Sequence, residues 1–147
     1  MLNPKIKLYC QLFIELLNDL TVIKPYDASL RLLIITVNGM IYYDSSSFVY
    51  TVIEYIKPYN TQILSKDEKF FIKDLISDFD DDTNSFIKDE IKKIHDIWND
   101  PETSDESKEN IWKYFILFVK LGNSIEKSTN KNSTDKNKIN NTLINKG

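Results

Sequence analysis

The stretch "LLIITVNGMIYY", residues 32–43, decides whether this chain is all helix or carries strands. Two readings compete. β-Branched residues flank an Asn38-Gly39 pair, and that dipeptide suits a type I′ turn, so a small hairpin fits. Alternatively, Asp27 caps a helix running through Leu30, Leu33, Ile34 and Val37, with Gly39 as its left-handed stop. A lone two-stranded hairpin gains little without more strands, and the flanking segments have helical periodicity. Helix is therefore the expectation, with the hairpin around Asn38-Gly39 as its alternative.

Upstream, Asn3 can cap and Pro4 suits the first helical position. Ile6, Tyr9, Cys10, Phe13, Leu16, Leu17 and Leu20 then form one stripe, ended by Lys24-Pro25. Downstream, "DSSS" precedes a helix with Val49, Val52, Ile53 and Ile56 on one face, stopping at Lys57-Pro58. Ser65 and Glu68 have capping-box spacing and predict a helix burying Phe71, Ile72, Leu75, Ile76 and Phe79. Ile87, Ile91, Ile94 and Trp98 mark another helix, broken at Asn99 to Pro101. Thr103 with Glu106 reads as a second capping box. It opens a central helix through Ile111, Trp112, Phe115, Phe118, Val119 and Leu121, with Gly122 as its end. From residue 127 the chain turns to Asn, Lys, Ser and Thr, a composition that cannot offset the entropy of ordering. The expected organisation is one all-α domain over residues 1–126, a bundle of five to six helices, followed by a disordered tail over 127–147.

Composition narrows function by exclusion. The 147 residues are 41% hydrophobic and 28% charged, enough for one packed core. Cys10 is the single cysteine, so there is no internal disulfide and no thiolate cluster, and cytosol is the natural compartment. No secretory signal is recognisable, and no apolar run reaches the ~18 residues of a spanning helix, so membrane insertion is not expected. Net charge is −3, and from Asn123 onward five Lys face one Glu and one Asp, leaving an acidic body. With Arg31 as the one arginine, nucleic-acid binding is not expected either.

One segment suggests defined chemistry: "SDFDDDTNSFIKDE", residues 77–90, an acidic loop between two helical patterns. An EF-hand needs oxygen ligands at positions 1, 3, 5 and 12 and glycine at 6. Counted from Asp78, the ligands Asp78, Asp80, Asp82 and Asp89 fall correctly, but Thr83 replaces the glycine and Ser85 takes the apolar position. Counted from Asp80, Ile87 fills the apolar position but Ile91 falls at 12. Each register satisfies what the other fails. The plain reading is that clustered aspartates complement the dipole of the next helix. Calcium at Asp78, Asp80, Asp82 and Asp89 is the alternative.

Catalytic constellations are missing from the sequence. His95 is the single histidine, on the flank of an amphipathic helix beside Asp96, and no nucleophile elbow, phosphate loop or zinc motif occurs. No cofactor is implied. Aromatic content is high instead: eight Tyr, eight Phe and two Trp. Tyr42, Tyr43, Tyr50, Tyr55 and Tyr59 gather in one region, as an interaction surface or as a tyrosine-rich core edge.

Two segments, "KPYNTQILSKDEKFF" and "IHDIWNDPETSDESKENIWKYFILFVKLGNSI", carry a resemblance. Pro58 and Tyr59 precede Lys66 to Glu68 with Phe70 and Phe71; later Trp98 leads to Lys108, Glu109, Ile111, Trp112 and Tyr114. This pattern resembles a group of short uncharacterised proteins from large nucleocytoplasmic DNA viruses of algae and other protists, over roughly Ile56 to Ile125. The resemblance implies a viral origin and a place in the host cytoplasm, the virion or a viral factory. It implies no site. The functional expectation is a non-enzymatic helical protein that binds another protein as an accessory factor.

Overall fold

The computed structural model describes residues 3–77 and 87–145, with side chains through residue 129. Six α-helices follow in chain order among the described residues: α1 (Pro4–Ile23), α2 (Ala28–Ile56), α3 (Asn60–Leu64), α4 (Lys69–Ile72), α5 (Lys88–Asn99) and α6 (Asp105–Asn145). Short 3₁₀ turns cover Lys57–Tyr59 and Asp74–Ile76. No strand occurs among the described residues, so the molecule is an all-α bundle.

Helix α1 forms as its sequence dictates. Asn3 accepts from the Lys5 amide at 2.9 Å, Pro4 occupies the first turn, and all seven stripe residues are buried. Lys24 closes it by donating its backbone N–H to Leu20.

Helix α2 resolves the opening ambiguity and corrects one detail of it. Residues 32–43 are helical, without a hairpin, and Gly39 sits in the helix interior with ordinary negative φ. The Asn38 side chain folds back onto the Ile34 carbonyl at 3.0 Å and Thr36 onto Leu32 at 2.9 Å, so both polar groups are satisfied inside a helix. The break comes five residues later, at Asp44, whose extended backbone (φ −158°, ψ 89°) splits α2 into two arms. Asp44 then caps the second arm, accepting the Ser47 amide at 3.0 Å and its hydroxyl at 2.8 Å.

The expected capping box at Ser65 and Glu68 does not form. Ser65 instead ends α3, and Lys66 takes the left-handed conformation (φ 56°). The Asp67 amide bonds Gln62 and the Lys66 amide bonds Ile63, which is the Schellman pattern with lysine where glycine is usual. Asp67 then accepts the Lys69 amide and starts α4, a single turn that buries Phe70 and Phe71 and leaves Ile72 exposed. Phe79 lies outside the described residues.

The cap of α6 also lies one residue beyond expectation. Ser104 accepts the Ser107 amide at 3.1 Å, while Thr103 is buried and bonds the Ile97 carbonyl, closing the turn after α5. Nor does α6 end at Gly122. It runs on past the expected domain end at 126, and Ser128 and Thr129 still touch the bundle through Lys5 and Tyr50.

Aromatic rings knit the core together. Tyr9 and Phe13 of α1 stack on Phe118 of α6, Phe118 meets Phe115, and Phe115 meets Phe71 of α4 edge-on at 5.0 Å. Phe71 in turn stacks on Trp98 of α5 at 5.1 Å. Phe13 also meets Phe48 of the second arm of α2. Centroid spacings of 4.5–7 Å are favourable for such pairs, and this one chain of rings joins five helices. Ion pairs pin the periphery: Lys24 to Asp100, Lys57 to Glu126, Lys66 to Glu109 and Lys93 to Asp27.

Candidate functional site

The first arm of α2 is apolar nearly all round, yet only Leu30 and Val37 are fully buried on it. Leu33, Ile34, Met40 and Ile41 are half-buried on the same side. At 100° per residue, Leu32, Ile35, Gly39, Tyr42 and Tyr43 fall within a ~100° arc opposite that face. Leu32 is 64% exposed, Ile35 68%, Tyr42 94% and Tyr43 89%. A solvent-facing helix surface is normally polar, so this arm carries a second apolar stripe that nothing in the chain covers among the described residues.

The stripe is uncharged. From Ala28 through Tyr43 the one charged residue is Arg31, and its guanidinium donates to the Pro25 carbonyl at 2.6 Å. Beside the stripe, a groove of about 910 Å³ separates α1 from α2. Lys7, Gln11, Ile14 and Glu15 line one wall; Asn38, Ile41 and Tyr42 line the other.

The five tyrosines divide. Tyr42 and Tyr43 belong to the exposed stripe. Tyr50, Tyr55 and Tyr59 pack at the core edge: Tyr50 meets Thr129, Tyr55 donates to the Leu75 carbonyl at 2.6 Å, and Tyr59 packs on Phe70. Their common spacing in sequence concealed this, because the kink at Asp44 turns the two arms differently. Leu32 and Ile35 were missed as surface residues. The available signal was a helix with more apolar positions than one buried face can use.

Of the calcium ligand set, Asp78, Asp80 and Asp82 lie outside the described residues. Asp89 sits in the first turn of α5, where its charge complements the helix N-terminus. Among the described residues no three His, Cys, Asp or Glu side chains converge as a metal site would require. Next to Asp89, Glu90 is 2% exposed, and its Oε2 has no hydrogen-bond partner among the described residues. Burial, reinforced by Asp89, raises its pKa from 4.5 to about 7.

His95 is more enclosed than its sequence position suggests. Its two ring nitrogens lie 3.1 Å from Asp96 and 3.2 Å from the Ile72 carbonyl, so it ties α5 to the end of α4. Asn99 adds a second tie, donating to the Phe71 carbonyl at 2.8 Å. Cys10 is buried, and burial pushes its thiol up to about 11, well away from a reactive thiolate. Among the described residues no helix is long and apolar enough to cross a membrane. Comparison with protein-family models, with curated proteins and with solved structures returns no match.

Proposed function

We propose that this protein is a helical interaction module that binds another polypeptide through the outer face of the first arm of α2. The observation that carries the reading is the exposure of Leu32, Ile35, Tyr42 and Tyr43 on one face of one helix. Apolar surface of this extent costs about 25 cal/mol per Å² to keep in water, and tyrosine at its end is the residue type enriched at protein interfaces. The ion pair of Lys93 with Asp27 ties the start of that arm to α5. A role as an accessory protein of a large DNA virus follows from the resemblance of the Ile56 to Ile125 region and belongs to the same proposal.

The test pairs capture with surface variants. Immobilised full-length chain should retain a stoichiometric protein partner from extract. The Ile35→Asp, Tyr42→Ser double variant should lose it while keeping its helical circular dichroism and melting temperature. Equal capture by the variant would place the binding surface elsewhere.

A further inference from the structure

We infer that the exposed stripe is the seam of a homodimer, in which the first arm of α2 pairs antiparallel with the same arm of a second copy. This rests on the interaction reading above and names its occupant.

The spacing is the first argument. Leu32, Ile35, Gly39 and Tyr42 follow one another at intervals of three, four and three, which is the a/d pattern of a coiled-coil seam. The pattern is also self-complementary. A two-fold axis at the level of Val37 sets Leu32 opposite Tyr42 of the second copy and Ile35 opposite its Gly39. Such a closed, isologous pairing requires one patch to match itself, and this one does.

Gly39 supplies the fit. A Cβ built there meets nothing within 4 Å, so the glycine lies open on the outer surface. It leaves a gap at the seam, and the Ile35 side chain of the opposing copy fills a gap of that kind as a knob fills a hole. No turn requires glycine at this position, since its φ is negative, and no close packing within the chain does, since a Cβ there has open space.

Charge argues against a membrane surface as the occupant, and the exposed area approaches what a second copy needs. The protein carries −3 overall, so two copies repel at long range, yet the stripe itself bears no charge to oppose contact. A membrane-surface helix would instead carry Lys and Arg along its flanks, and this arm has Arg31 alone. Leu32, Ile35, Tyr42 and Tyr43 together expose on the order of 600 Å², against the roughly 800 Å² each partner contributes to a standard interface.

Sedimentation equilibrium of the full chain should show a concentration-dependent monomer–dimer equilibrium. Leu32→Glu should weaken it by more than about tenfold, because the charge is buried in the seam, with helical content unchanged. Orientation is read by cysteine pairing in a Cys10→Ala background. Mixing Ile35→Cys chains with Gly39→Cys chains should give rapid mixed disulfides, and neither variant alone should cross-link. Rapid cross-linking of Ile35→Cys with itself would overturn the antiparallel pairing. A monomer at every concentration would overturn the dimer outright, and flotation of that monomer with anionic vesicles would assign the stripe to lipid. If the monomer still captured a protein partner through Ile35 and Tyr42, the interaction reading would survive the loss of this one.

Discussion

Cγ1 of Ile53 stands 3.2 Å from the point where a Cβ on Gly122 would lie, so the second arm of α2 and α6 cross in near contact at a glycine. Helix α6 continues through this residue, so its smallness serves packing rather than termination. Gly122→Ala should be close to neutral. The gain in helix propensity, about 1 kcal/mol, is offset by the push against Ile53. Gly122→Val should destabilise by roughly 1–3 kcal/mol through overpacking. Urea melts of the two variants check the contrast, and a stable valine variant would refute the close crossing.

Asp27 works in two directions at once. Its Oδ1 accepts the Leu30 amide at 3.2 Å and the Ser29 hydroxyl at 2.6 Å, while Oδ2 accepts from Lys93 of α5 at 2.9 Å. The Ser29 and Lys93 bonds hold its carboxyl at about 2, below the usual range. Asp27→Ala should cost about 1–2 kcal/mol through loss of the cap. Lys93→Met should cost under about 1 kcal/mol, because the pair is partly solvated. Equal losses in thermal unfolding would make the ion pair, not the cap, the dominant contribution.

Glu90 makes stability depend on pH. Its folded pKa of about 7 exceeds the ordinary 4.5, so between those values the folded state holds a proton that the unfolded state has lost. The contribution of Glu90 is therefore fully present below 4.5, falls as pH rises through 7, and levels off above it. The full fall is about 3 kcal/mol, taking 1.36 kcal/mol per unit. Glu90→Gln should flatten this dependence and make the protein more stable than wild type at pH 8. Superimposable pH profiles for the two proteins would remove Glu90 from the account.

Lys66 holds a left-handed conformation at the end of α3, strained for a residue with a Cβ. Lys66→Gly should stabilise by about 0.5–1 kcal/mol, since glycine adopts that conformation without the Cβ clash. The surface pair with Glu109 contributes too little to reverse the sign. A loss of stability on calorimetry would show that the pair outweighs the strain.

Much of this protein is written in its pattern. The α1 stripe from Ile6 to Leu20, the cap at Asn3 and the apolar faces of α5 and α6 all follow from spacing. They are local, decided by which residues lie three or four apart and which side chain can reach a free amide. Tertiary packing decided what local rules could not. The rules for Gly39 and Gly122 propose helix ends, but the helix continues through both: one lies open on the surface and the other lies under Ile53. Ser65 has the chemistry of a cap, yet the hydrogen bonds of Lys66 and Asp67 back to α3 make it an ending. Periodicity cannot rank the two apolar faces of α2. Only the packing of α2 against the rest of the bundle buries Leu30 and Val37 and leaves Leu32, Ile35, Tyr42 and Tyr43 in water.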